Sequence, residues 1–484
     1  MKLNLKLWMA AFSVLMLGAC QQVQNNRSEE LAVKTGKPLF ELQQNILDLR
    51  FGMFIHYNIP TYSDQDWPDP DTPAELFNPK KLDCNQWADV AASANMKYAC
   101  LTTKHHSGFC IWDTKTTDYS VMHSPLKRDV VREYVDAFRK KGIRTMLYYS
   151  ILDTHHDIRP GWIDDKKVDF IKAQLTELLT NYGEIDALVI DGWDAWWSRI
   201  SYEEIPFAEI YHHIKSLQPN CLISEHNAGK YPGSELFYTD FKQYEQNAGQ
   251  FISRETNKLP AQAGLPINKN WFWKEHFPTS PVKSAEFIVY DNLIPLNKAH
   301  CNFILNVAPN RDGLVDDNVV AEFKKIGELW KHPGKADKLE PTNQPIIYEN
   351  LAKKKPMNSS WSFDTRISDL ASDDDYTTYW VAYERVEEPF LEVDLQQPTE
   401  INAVGFVESD TTEFYNSVKE SRIGEYKISY YAGGEWKELD IKPYSDNFVR
   451  IHRFPAVKAS KVRYDFRNCK PGLAITEVLV YNEK

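Results

Sequence analysis

From about residue 40 to residue 335 the chain alternates two hydrophobic patterns. Short apolar runs read as buried strands: 51–57, 98–104, 144–149, 185–192, 221–225 and 303–307. Between them, residues 84–95, 129–141, 165–181, 203–217 and 315–330 carry helical spacing, as in Val130, Val131, Val135 and Phe138, or Val168, Ile171, Leu175, Leu178 and Leu179. The repeated strand–helix order predicts a parallel sheet, and its length favours a closed (β/α)8-like TIM barrel over an open sheet, here over 38–335. Helical spacing stops after Trp330-Lys331-His332-Pro333-Gly334. The alternating runs 376–380, 389–395, 427–431 and 461–466 then predict an all-β sandwich over 345–484.

The first residues read as an address. Lys2 and Lys6 precede the apolar stretch 7–16, too short to span a bilayer, and it ends in Leu17-Gly18-Ala19-Cys20. Small residues before a cysteine predict a lipoprotein signal peptide over 1–19, with lipidation on Cys20. Gln21 is not the aspartate of inner-membrane retention, so a bacterial outer-membrane anchor is expected, facing the periplasm or the cell surface. The polar stretch 20–37 reads as a tether.

Composition narrows the partners. A net charge of −12 disfavours nucleic acid, which needs basic patches. The 14 tryptophans and 25 tyrosines suit flat ligands with hydroxyl edges, such as sugars, although aromatic rings also fill cores. Besides Cys20, six cysteines remain with no Cys-x-x-Cys pair, which excludes a zinc ribbon or redox motif and favours buried free thiols.

Polar residues recur where the predicted strands end: His56, His105, His106, Tyr148, Asp191 and Glu225. In a parallel barrel that edge carries the chemistry. Asp191 closes an apolar strand before Gly192, where burial of a charge is costly without a purpose; a turn-forming Asp-Gly is the bland alternative. A pair of carboxylates around a glycosidic bond is the economical chemistry for such a rim.

Five ordered motifs sharpen this. Phe51-Gly52-Met53-Phe54-Ile55-His56, Lys104-His105-His106-Ser107-Gly108-Phe109-Cys110-Ile111-Trp112, Tyr148-Tyr149-Ser150, Leu188-Val189-Ile190-Asp191-Gly192 and Asn302-Phe303-Ile304-Leu305-Asn306-Val307-Ala308-Pro309 resemble the α-L-fucosidases of glycoside hydrolase family 29. The resemblance implies a retaining exo-α-L-fucosidase acting on fucosylated oligosaccharides or glycoconjugates, without a cofactor or a metal. It places the nucleophile on Asp191. Asp240-Phe241-Lys242-Gln243-Tyr244-Glu245 resembles the acid/base segment of bacterial members, which places that role on Glu245, on an expected loop, with Glu225 and Glu255 in reserve. It further implies sugar contacts from His56, Asp66, Trp67, His105, His106 and Tyr148, and an apolar wall at Trp271 for the fucose methyl.

The chain departs from the family pattern at Ser107, Val189 and Gln262, and Glu225-His226-Asn227 stands where an arginine is usual. These departures keep open an alternative: a lipid-anchored glycan-binding protein on an inactive barrel. The region from about 345 resembles the discoidin, or coagulation-factor type C, sandwich through Ala371-Ser372-Asp373-Asp374-Asp375, Thr378-Tyr379-Trp380 and 475–481.

Overall fold

The computed structural model describes residues 36–410, 420–444 and 447–484. The predicted signal peptide, Cys20 and nearly all of the tether lie outside the described residues.

Eight parallel strands form the first sheet: β1 (Phe51–Ile55), β2 (Tyr98–Lys104), β3 (Arg144–Ser150), β4 (Ala187–Asp191), β5 (Leu222–Glu225), β6 (Lys242–Glu245), β7 (Ala261–Pro266) and β8 (Cys301–Val307). Their order is β5-β4-β3-β2-β1-β8-β7-β6, a barrel whose ladder is open only between β5 and β6. Asp240, just ahead of β6, closes that seam. Its backbone N–H donates to the Ile223 carbonyl at 2.7 Å, and its Oδ2 accepts from the Ile223 N–H at 2.9 Å and from Lys215 at 2.7 Å. Tyr211 donates to its Oδ1 at 2.8 Å.

Strand alternation sorts the core into two layers. Phe54, Tyr98, Cys100, Met146, Tyr148, Ala187, Val189, Leu222, Phe241 and Ile304 fill the barrel interior. Met53, Ile55, Leu101, Leu147, Leu188 and Ile190 face the helices outside. Aspartates start several of these helices: Asp83, Asp129 and Asp164 accept the free N–H groups of Asn85, Arg132 and Lys167 at the first turns of Cys84–Ser93, Val130–Lys140 and Asp165–Thr180. The helix expected near 203–217 begins at Phe207, behind Pro206. Five of the six described cysteines are buried, and all six are free thiols.

The second domain is a seven-stranded antiparallel sheet, built from β9 (Met357–Ser359), β10 (Trp380–Val381), β11 (Phe390–Glu408), β12 (Glu425–Ala432), β13 (Glu435–Glu438), β14 (Val449–Arg467) and β15 (Ala474–Tyr481). Register shifts at Asp394/Thr399 and Ile401/Ala403 interrupt the β11–β14 ladder, and such irregularities bend long strands. One apolar core lies within the domain. Ala403, Val407, Val449, Leu479 and Tyr481 join the outer core of the barrel instead. Lys230 and Lys353 both bridge to Asp374, at 3.2 and 3.1 Å, and the Tyr231 and Tyr376 rings meet edge to face at 4.9 Å. The β-domain therefore grips the segment that follows β5.

Candidate active site

The carboxyl ends of the strands converge on Asp191. It ends β4 two residues after Val189, so it faces inward above that interior side chain and is only 6% exposed. Tyr148, inward on β3, donates its hydroxyl to Asp191 Oδ2 at 2.7 Å. Gly192 follows at φ +119°, a conformation that side chains resist, and its N–H also serves the carboxylate.

The histidine pair after β2 owes its position to an irregularity. Pairing with β3 skips from Thr102 to Lys104. Lys104 turns to the outer layer, where it meets Tyr149 Oη at 3.0 Å and Asp153 at 3.1 Å, fully buried. It anchors the loop and stands apart from the two histidines that follow it. Gly108, at φ +88°, lets the loop pack on Asp153, whose Oδ1 would lie 2.1 Å from an added Cβ. His105 and His106 swing inward. His106 packs against the indoles of Trp67 and Trp197, each 4.4 Å from its ring and 5.1 Å from one another, and His105 lies 3.9 Å away on its own loop.

Hydrogen bonds fix which atoms these rings present. Ser150 donates its hydroxyl to the Leu152 carbonyl, so its oxygen accepts from His106 Nδ1 at 2.7 Å. Asn306 donates its amide to the Trp271 carbonyl, so its Oδ1 accepts from His56 Nδ1 at 2.7 Å. Both rings therefore offer Nε2 as an acceptor. Burial holds the histidines neutral: it lowers His56 to a pKa of about 3 and His105 and His106 well below their ordinary value. The 3.9 Å approach of His106 Nε2 to Asp191 Oδ2 is thus a pair of acceptors, suited to hydroxyl donors. The Trp271 ring packs on His56 at 4.9 Å, and Phe272 backs both His56 and His105. Asp66, at the rim, is paired with Lys274 at 2.7 Å, and the neighbouring Trp67 is 46% exposed.

Glu245 ends strand β6; it is not on a loop as expected, because Lys242–Glu245 pairs in register with β7. Its partner is a residue that the sequence pattern did not single out. His226, directly after β5, places Nδ1 3.2 Å from Glu245 Oε1 and 3.9 Å from Asp191 Oδ1. Burial opposes its charge, but the two carboxylates outweigh burial and raise its pKa to about 9. Burial raises the Asp191 carboxyl, with the His226 cation, Tyr148 and Gly192 acting against it. Burial acts upward on Glu245 too, yet the direct His226 bond holds that carboxylate below its ordinary value. One nitrogen touching both acids bounds their oxygen separation by the sum of the two distances. That bound admits the ~5 Å of a retaining pair and falls short of most of the ~6.5–9.5 Å range of an inverting one.

Of the reserve acids, Glu225 neighbours His226 and Asp191 without hydrogen-bonding to either, and Glu255 stands apart. Glu225 is buried against Tyr202, which donates to it at 3.2 Å, and its other oxygen has no hydrogen-bond partner among the described residues. Glu255 is exposed on the turn 254–256. Among the described residues no cluster of histidine, cysteine and carboxylate side chains is arranged to hold a metal ion.

Comparison with known proteins follows the same lines. The family model described as alpha-L-fucosidase matches residues 18–335, about two-thirds of the chain. The chain belongs to the α-L-fucosidase family of glycoside hydrolases. A second model, the F5/8 type C domain, matches residues 355–478. Alpha-L-fucosidase 1 of Arabidopsis thaliana is 30% identical over 329 residues, covering 64% of this chain and 60% of that protein. The plasma alpha-L-fucosidase of Homo sapiens is 26% identical over 277 residues, 54% of this chain and 56% of its own length. The matched part thus spans little more than half of each relative. Among solved structures, a glycoside hydrolase 29 family member from an unknown rumen bacterium is 26% identical with a TM-score of 0.51, covering 92% of this chain and 77% of its own. Alpha-L-fucosidase isoenzyme 1 from Paenibacillus thiaminolyticus shares the fold at a TM-score of 0.53 and 23% identity, covering 89% and 99%.

Proposed function

We propose that this family member is a retaining exo-α-L-fucosidase that releases terminal α-L-fucose from fucosylated glycans. The observation that carries the reading is the His226 bridge between Asp191 and Glu245 at the centre of an acceptor-rich pocket. In this mechanism an Asp191 oxygen attacks the anomeric carbon while Glu245 gives its proton to the departing glycosidic oxygen. The Glu245 carboxylate then takes a proton from water, whose oxygen attacks the same carbon, breaks the bond to Asp191 and frees fucose with its original configuration. His226 holds the proton that Glu245 delivers, shared across their 3.2 Å contact. Tyr148 keeps one Asp191 oxygen hydrogen-bonded and so leaves the other to attack. His56, His105 and His106 hold the sugar hydroxyls, with Asp66 and Trp67 at the rim, and Trp271 meets the fucose methyl.

The alternative of an inactive glycan-binding barrel rested on Ser107, Val189 and Gln262. Val189 belongs to the interior layer beneath Asp191, and Gln262 is tied to Tyr98 and Gln243 at 2.7 and 2.6 Å inside the barrel. Ser107 is buried, and none of the three is bonded to the Asp191–Glu245 pair. For the amino terminus we keep a lipid anchor on Cys20 at the bacterial outer membrane, supported by the Leu17-Gly18-Ala19-Cys20 sequence.

The test is turnover of an aryl α-L-fucoside, with the product anomer followed by NMR. Wild type should release the α-anomer first, and Asp191→Asn should lose roughly a thousandfold or more of kcat. No release by wild type from aryl or oligosaccharide fucosides would remove the reading.

A further inference from the structure

Between the loops that follow β5 and β6 lies an open cleft of about 510 Å³. Gly229, Gly233, Gly249, Gln250 and Phe251 line it, with Tyr244 as one wall. Its volume falls within the range of ligand sites, roughly 300–1,000 Å³, and is ample for more than one sugar ring.

Three observations bear on its use. First, the cleft is built on the acid. Gln250 accepts from the Glu245 N–H at 3.2 Å through its side chain and donates from its backbone to the Glu245 carbonyl at 3.1 Å. These two bonds tie the cleft to the strand end that carries Glu245. Second, Phe251 is 71% exposed, a large apolar ring presented to water at the cleft edge. Such a ring stacks well on the C–H face of a pyranose, and Gln250, Ser253 and the Tyr244 phenol stand nearby to meet hydroxyls. Third, two of the glycines are not demanded by the fold. An added Cβ at Gly233 would meet nothing within 4 Å, and one at Gly229 would meet only the flexible Gln250 side chain at 3.4 Å. Neither adopts the left-handed conformation that favours glycine. What a side chain at these positions would fill is the cleft.

A general acid protonates the oxygen that leaves, so the leaving group must emerge on its side of the sugar. The exposed indole of Trp67 lies against His106, after β2 and across the barrel from β6. We propose that the cleft is the aglycone site, holding the sugar residues of an oligosaccharide substrate next to the scissile fucosidic bond, with one ring stacked on Phe251. This rests on the fucosidase reading and deepens it: the substrate is a glycan chain, not fucose on a small alcohol.

The test compares α-L-fucosyl fluoride, which has no aglycone sugar, with 2′-fucosyllactose and 3-fucosyllactose. Phe251→Ala and Gly233→Trp both alter surface positions with room for the change. For at least one trisaccharide each variant should lower kcat/KM roughly tenfold while the fluoride stays within about twofold. Unchanged values on both trisaccharides would overturn the proposal, and so would an equal fall on the fluoride. If wild type fails even on the fluoride, the fucosidase reading is what has failed. Lactose titrated against wild type and Phe251→Ala by NMR then still decides the cleft. Saturation transfer to lactose from wild type that disappears in the variant supports it, and no binding to either overturns it.

Discussion

His226 Nδ1 lies 3.2 Å from the Glu245 carboxylate and 3.9 Å from that of Asp191, and this places a titratable cation against both acids. Its pKa is raised from 6.5 to about 9, so the charge it contributes is fully present below about pH 6.5 and lost as pH rises through 9. The groups facing it are Asp191, Glu225 and Glu245, with Tyr148 and the neutral His56 and His106 around them. The basic limb of kcat/KM is therefore expected near pH 9. His226→Gln should move that limb down by a unit or more, because the last proton then belongs to the carboxyl pair alone; an unmoved limb would make His226 merely structural. Asp191, Tyr148 and His56 were legible in the sequence as strand-end residues, since alternation fixes where they point. His226 escaped that rule because the strand ends at Glu225, which turns to Tyr202, and the side chain that reaches Asp191 and Glu245 is the next residue. No one-dimensional pattern distinguishes those two neighbours.

Elements were legible where one periodicity ran unbroken, as in the helix Val130–Lys140 or the strand Tyr98–Lys104. They were not where a tertiary contact replaces a pattern. Strand β6 has only four residues, and its polar sequence Lys242-Gln243-Tyr244-Glu245 reads as a loop. It pairs because β7 offers an edge and because Asp240 anchors its start to β5. Asp240→Ala should thus loosen the seam beneath both His226 and Glu245. It leaves the Lys215 ammonium with only the Cys221 carbonyl and takes the carboxylate from the Ile223 N–H, a loss of about 2–4 kcal/mol in denaturant unfolding. A variant as stable as wild type would show that the seam holds without this aspartate.

For the whole molecule, the β-domain is a buttress as well as an appendage. It shares the outer core of the barrel through Ala403, Val407, Val449, Leu479 and Tyr481, and it grips Lys230 and Tyr231 a few residues beyond His226. A chain ending at residue 340 should lose at least about 5 °C in Tm, since even one or two kcal/mol shifts a domain of this size by several degrees. Its kcat/KM should fall as well, because the loop carrying His226 loses its backing. Tm and kinetics equal to those of the full chain would show that the two domains are independent.

The assignment of Asp191 as the nucleophile, on which the whole account turns, is tested most directly by chemical rescue. In Asp191→Gly the carboxylate proposed to attack is gone and room is left for a small anion. Aryl α-L-fucoside turnover should be abolished, then partly restored by azide, with β-L-fucosyl azide as the product. Full activity without azide, or no rescue together with an intact fold, would contradict the assignment.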